Sequence, residues 1–313
     1  MKFFDIRILF VVPALMLTAC TKTSVHNNKP ADSAPDLNST TAEYAGYKRI
    51  ISTAPSNTDI IAALGMAGRL VAIDKYAGSV SKLPPEIPRL DFLNPDAETL
   101  IALEPDLIIA HSMNEQRNGN EPLAIMKKLG VQVVYIKTSN SLEGIQDDIM
   151  YLARLLGVPE RGDAIIGTMR EEIDKIRETG RRIYTEKRIE PRTVYFEIEP
   201  APHATTFGSG VFLDEIITLC GAKNIFADQK GFFVPNSEEI IHRSPSVILT
   251  NASEVADPIA ELYARTGFEN TSAHKNKRIY YIDTDASARP THNVIKALKQ
   301  IAFSIYPEYY NEY

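Results

Sequence analysis

Three side chains in this sequence carry lone pairs that a metal-bearing ligand could accept: the phenol of Tyr76 and the imidazoles of His111 and His203. Cations that can pair with anionic groups stand at Lys75 and Arg289, and arginine adds a two-pronged geometry that matches a carboxylate. Phe92, Phe207, Phe233 and Met113 supply apolar surface. Thr53, Ser56, Ser112, Asn94 and Asn251 supply short hydrogen-bonding groups, and Pro55 stiffens one loop. This mixture suits capture of a large ligand with an apolar ring edge and a few polar groups, where faces give area and donors give orientation. Bland roles exist for the same residues: core aromatics, a methionine filling space, hydrogen-bonded or solvated imidazoles. No side chain is expected to ligate a metal directly unless the ligand itself carries iron, when Tyr76, His111 and His203 are the donors.

Catalytic readings are weaker. The chain has no G-x-G-x-x-G, Walker loop, G-x-S-x-G or H-E-x-x-H, and Gly208-Ser209-Gly210 is too sparse for a nucleotide site. Glu197 and Glu199 flank Ile198 on one face of a strand end, with no third group to orient water or a metal. His26, His242 and His274 have no partner at metal-ligand spacing. The competing reading from another class is an exported metal-dependent hydrolase using His111 and His203 across a cleft.

The candidate residues fall in loops that follow predicted strands, where open α/β sheets bind their ligands. Arg49 to Ser52, Leu70 to Ile73, Leu107 to Ala110 and Val131 to Ile136 are short apolar runs of the parallel-strand type. Ser56-Asn57-Thr58-Asp59 reads as a capping box opening a helix, and Asn94-Pro95 as the start of a helix that Pro105 ends. Glu160 to about Arg182 carries Ile165, Met169, Ile173 and Ile176 at helical spacing among dense charges, one long amphipathic helix. Beyond it come strands at Thr193 to Ile198, Val247 to Thr250 and Arg278 to Ile282, and helices at Phe212 to Leu219 and about His292 to Ile305.

Two halves repeat one plan. Asp59-Ile60-Ile61-Ala62-Ala63-Leu64-Gly65 matches Glu215-Ile216-Ile217-Thr218-Leu219-Cys220-Gly221, each a helix end with glycine as its left-handed stop. Glu98 stands seven residues before Pro105 and Glu238 seven before Pro245, and each proline leads into a buried strand. The expected class is α/β, with two Rossmann-like lobes of mostly parallel sheets joined by one long helix. A single helical bridge implies modest closure.

The amino terminus predicts where this body works. Lys2 and Arg7 precede ten apolar residues, Ile8 to Leu17, too few to span a bilayer at about 20 residues per helix. Residues 1–19 read as an export signal, and Leu17-Thr18-Ala19-Cys20 resembles the lipobox of bacterial lipoproteins, which implies a lipidated Cys20. Residues 20–46 are polar and read as a flexible tether. The expected organisation is an N-terminal lobe at 47–158, a backbone helix at 159–184 and a C-terminal lobe at 185–313. With Cys20 modified, Cys220 has no partner for a disulfide. The formal charge of −6 becomes −7 once Lys2, Asp5 and Arg7, together +1, are removed; with no basic stripe, nucleic acid is not an expected partner.

Ile50-Ile51-Ser52-Thr53-Ala54-Pro55-Ser56, Asn94 through Leu103-Glu104-Pro105-Asp106-Leu107-Ile108, and Asp283 through Arg289-Pro290 into Ala297-Leu298 resemble one family. It is the class III, helical-backbone group of substrate-binding proteins that serve ABC importers of vitamin B12, haem and ferric siderophores. The resemblance covers nearly all of 48 to 308. It implies two lobes joined by a rigid helix with a ligand cleft between them, and a monomeric receptor on the outer face of the cytoplasmic membrane or in the periplasm, with no permanent cofactor. Its ligand would be an iron chelate, ferric siderophore or haem, or alternatively cobalamin or another corrinoid. Its partner would be a permease dimer with a cytoplasmic ATPase, docked through Glu98 and Glu238. Two departures leave the chelate open: Thr291-His292-Asn293 follows Arg289-Pro290 where the family often has a second arginine, and the chain has no tryptophan to stack on a flat ligand.

Overall fold

The computed structural model describes residues 46–115 and 121–311. The expected export signal, Cys20 and the expected tether through residue 45 lie outside the described residues, which all belong to one compact unit. The first lobe runs β1 (Ile50–Ser52), α1 (Pro55–Ala63), β2 (Leu70–Asp74), β3 (Arg89–Leu90), α2 (Ala97–Ala102) and β4 (Leu107–His111). It continues through α3 (Ala124–Lys128), β5 (Gln132–Ile136) and α4 (Leu142–Leu155). Its five strands are parallel in the order β3-β2-β1-β4-β5. Ile50, Ile51, Ile73 and Leu107 through Ala110 are fully buried, so the apolar runs are strands covered on both faces. The chain leaves β1 to one side and returns on the other as β4, which opens a crevice beyond their carboxyl ends.

Helix α5 (Pro159–Thr185) has 27 residues, about 40 Å at 1.5 Å per residue. Its buried stripe is Gly162, Ile166, Met169, Ile173, Ile176, Gly180 and Ile183; Ile165, expected on it, is only partly covered. The second lobe follows as β6 (Thr193–Glu197), β7 (Thr206–Phe207), α6 (Phe212–Leu219), β8 (Lys223–Asn224), β9 (Phe232–Phe233) and α7 (Ser237–Arg243). It ends in β10 (Val247–Thr250), α8 (Pro258–Ala264), α9 (Ser272–Lys275), β11 (Ile279–Tyr281), α10 (Thr284–Ala288) and α11 (Val294–Ile305). Strands β11-β10-β6-β8 form a parallel sheet, and β7 pairs with β9 as a small antiparallel ribbon.

The duplicated plan is carried in backbone geometry. Gly65 and Gly221 take φ of +71° and +81° just past α1 and α6. Glu104 and Ser244, each directly before a proline, both take φ of +44° beyond α2 and α7. In those two helices Asp96 and Asn236 cap the first turn with their side chains, and Glu98 and Glu238 are each the second helical residue, exposed.

Two expected helix starts differ. The capping box at Ser56 to Asp59 does not form: Pro55 opens α1, Ala54 precedes it, and Thr58 turns back onto Ser52 Oγ at 2.8 Å and the Ala54 carbonyl at 3.0 Å. Proline at the first position fixes a helical φ and needs no amide partner, so the helix begins two residues earlier. Helix α2 is capped by Asp96, which accepts from the Thr99 amide at 2.9 Å, in place of the Asn94-Pro95 start.

Candidate functional site

A cleft of about 380 Å³ opens at the carboxyl ends of β1, β2 and β4, with Ala288, Arg289 and Pro290 of the second lobe as its far wall. Of the expected residues it gathers Thr53, Pro55, Ser56 and Tyr76 with Phe92, His111, Met113 and Arg289. It adds Ala54, Asp74, Leu93, Asn114 and Thr138, which the sequence did not single out.

A buried hydrogen-bond relay builds the floor. The His111 amide donates to Thr53 Oγ1 at 2.9 Å, Thr53 Oγ1 donates to Asn114 Oδ1 at 2.6 Å, and Asn114 Nδ2 donates to the Phe92 carbonyl at 2.6 Å. Thr53, Phe92 and Asn114 are all buried, so three loops are tied together below the ligand space with their polar groups satisfied. His111 is part of this frame. Its Nδ1 accepts from the Met113 amide at 3.0 Å, which puts the proton on Nε2, 2.6 Å from Thr138 Oγ1. Both ring nitrogens are engaged, and the imidazole is committed to holding the loop that displays Met113, 48% exposed.

Tyr76 projects at the mouth with 64% of its surface exposed. Its amide donates to Asp74 Oδ1 at 2.9 Å, and burial raises the Asp74 pKa while that amide opposes the rise. Lys75 sits 5.0 Å from the Tyr76 ring centre and pairs with Asp91 at 2.7 Å, a contact that draws the Asp91 carboxyl below its ordinary range. From the second lobe Arg289 donates to the Tyr76 carbonyl at 3.2 Å and pairs with Asp285 at 2.8 Å. The charged walls, Asp74 and Arg289, are of opposite sign, and among the described residues the remaining lining is neutral.

Other expected residues lie elsewhere. Lys75, Asn94 and Ser112 adjoin the walls without lining them. His203 is exposed in the turn after β6 and does not line the cleft. Phe207 is fully buried against Phe196, with ring centres 5.5 Å apart, because pairing of β7 with β9 folds it into the core. Phe233 packs edge-on against Phe226 at 5.3 Å. Asn251 is buried and donates to Ser287 Oγ at 2.9 Å. Among the described residues no three His, Cys, Asp or Glu side chains are grouped for a metal.

The repeat register pairs Phe92 of the first lobe with Phe232 of the second. Phe92 stands six residues before Glu98, and Phe232 stands six before Glu238, with Pro95 and Pro235 three before. Phe232 is 57% exposed on the β7–β9 ribbon while its neighbour Phe233 is turned inward. The aligned repeat, not local composition, is the signal that separates the two.

Comparison with known proteins agrees with this architecture. The uncharacterized ABC transporter substrate-binding lipoprotein YvrC of Bacillus subtilis is 28% identical over 268 residues, 85% of this chain and 82% of that protein. The vitamin B12-binding protein of Vibrio cholerae is 29% identical over 261 residues, 81% of this chain and 87% of its own. The solved apo structure of the periplasmic heme-binding protein RhuT from Roseiflexus sp. RS-1 superposes with a TM-score of 0.71 at 26% identity, covering 84% of this chain and 99% of that one. The periplasmic binding protein family matches residues 50–286, and with the paired parallel sheets, the long connecting helix and the cleft between lobes, the chain belongs to that family of ABC-importer substrate-binding proteins, which capture a ligand rather than transform it.

Proposed function

We propose that the chain is held outside the cytoplasmic membrane by a lipidated Cys20 and captures a corrinoid in the cleft, which it delivers to an ABC permease through Glu98 and Glu238. The observation that carries the ligand class is charge. Arg289 is already paired with Asp285 and Lys75 with Asp91, so among the described residues no uncommitted cation lines the walls for a strongly anionic ferric siderophore. Neutral hydroxyl, amide, aromatic and thioether groups fit a broad ring whose periphery is uncharged. The vitamin B12-binding relative supports this assignment.

Haem is the second reading, favoured by Tyr76, whose exposed phenol stands at the mouth as an oxygen donor, and by the heme-binding relative of like fold. His111 does not serve either reading as a metal ligand, since both its nitrogens brace the floor. Glu98 and Glu238 support docking by their position: equivalent in the repeat, exposed, and one to a lobe.

Titration of the full chain in detergent with cyanocobalamin, haemin and several ferric siderophores, followed by visible absorbance and tyrosine emission, tests the assignment. Saturable quenching by cyanocobalamin is expected. A Soret shift on haemin that Tyr76→Phe removes, without cyanocobalamin binding, moves the assignment to haem; saturation by a siderophore alone overturns both.

A further inference from the structure

Residues 289–293 of the second lobe form a strap onto the first. At one end Arg289 donates to the Tyr76 carbonyl at 3.2 Å, and at the other Asn293 Nδ2 donates to Asp59 Oδ2 at 2.9 Å. Between these ties Pro290 walls the cleft, and it also walls a chamber of about 10 Å³ lined by Asn57 and Asp148 of the first lobe. Thr291 is fully buried. His292 is half-buried, with its Nδ1 covered and without a hydrogen-bond partner among the described residues.

We propose that His292 is a proton-sensitive latch on this strap: when neutral it lets the strap lie against the first lobe, and when protonated it parts the lobes at the cleft. Both charges that act on its ring come from the first lobe, Asp59 on α1 and Lys82 in the loop between β2 and β3. On its own lobe Lys296 is paired with Asp283 at 2.6 Å and Arg289 with Asp285 at 2.8 Å. Asp148 shares the chamber wall with Pro290, two residues before His292. In an imidazolium both ring nitrogens carry protons, so Nδ1 becomes a covered donor with no acceptor. Burial lowers the His292 pKa from its ordinary 6.5, the Asp59 charge opposes that and Lys82 adds to it, and the net effect is a lowering. The strapped form therefore binds fewer protons than a parted form in which water reaches the ring. Its advantage is complete above pH 6.5 and is lost as pH falls through the lower value. A receptor built this way holds its cleft walls together at neutral pH and loosens them in acid, whichever ligand it carries.

Hydrogen exchange of the full chain in detergent at pH 7.5 and 5.0, corrected for the intrinsic change in rate, tests the latch together with a titration of the 13C-labelled histidine rings. Residues 286–295 and 55–63 should lose protection together in acid, and His292→Gln should abolish that loss. The His292 ring resonance, identified by its absence in His292→Gln, should titrate below 6.5. Asp59→Asn should move that midpoint further down and Lys82→Gln should move it up, a pair of opposed shifts that decides the matter even where His292→Gln does not fold. Protection independent of pH, a midpoint at or above 6.5, or no opposed shifts would overturn the latch. A loss of protection that survives His292→Gln and disappears in Asp148→Asn overturns it too, by giving the acid response to Asp148.

Discussion

Asp59 and Asn293, 234 residues apart, meet across the two lobes: Asp59 Oδ2 accepts from Asn293 Nδ2 at 2.9 Å. Its counterpart in the repeat reaches the other way, Glu215 Oε2 accepting from the Leu142 amide at 2.9 Å. Asn293 directly precedes α11 and Leu142 is the first residue of α4, so each acid sits at the amino end of a helix in the opposite half. Unpaired amides and the helix dipole favour a carboxylate at both places. The pair forms a two-fold-like seam that sets how the cleft walls face each other.

Asp59→Ala and Glu215→Ala should each lower unfolding free energy by about 1–2 kcal/mol. The two contacts share no partner, so the double variant should lose close to the sum. Urea unfolding measures this, and a neutral result for either single variant would remove that contact from the seam.

Gly180 places α5 against the end of α6. A Cβ at that position would lie 2.2 Å from the Leu219 carbonyl oxygen and 2.8 Å from the Gly221 nitrogen, all backbone. Gly180→Ala should therefore cost at least about 3 kcal/mol or prevent folding, since neither helix can yield locally. Gly167→Ala, with open space at its Cβ, should be neutral or slightly stabilising in the same melting experiment.

Asp148 makes stability pH-dependent in a stated direction. Its carboxyl is raised from 3.8 to about 6, chiefly by burial, so the folded chain holds the proton more tightly than the unfolded one. The favourable share is complete below pH 3.8 and is lost as pH rises through about 6. Asp148→Asn should thus stabilise by roughly 2 kcal/mol at pH 8, after allowance for screening of a half-buried group, and have little effect at pH 4. Equal melting shifts at both pH values would contradict the assignment.

Glu98→Arg and Glu238→Arg should leave ligand affinity within twofold and lower uptake in a reconstituted importer at least tenfold, because both side chains are exposed and stand outside the cleft lining. Loss of ligand binding in either variant would place these glutamates in the wrong role.

Local chemistry announced much of this fold. Glycine after α1 and α6 and apolar runs without alternation were readable because each depends on a few neighbouring residues, whereas the capping box read at Ser56 gives way to a start at Pro55. The loops that form the cleft were readable for the same reason, through strand ends. Which side chains in those loops face the ligand space was not. The sequence reading included Thr53 but not its partner Asn114, and their bond, which ties the floor, spans 61 positions. Phe207 and Phe233 look as suitable as Phe92 until strand pairing turns them inward.

By itself the sequence determined two repeated α/β halves, the helix between them and the positions of Glu98 and Glu238, because periodicity and repeat register are properties of the chain alone. The tertiary structure decided that Lys75 and Arg289 are committed to carboxylates, that His111 is a brace, and that Asn57 and Asp148 share a chamber. Those outcomes depend on distances between segments far apart in the chain, which only the packed lobes set.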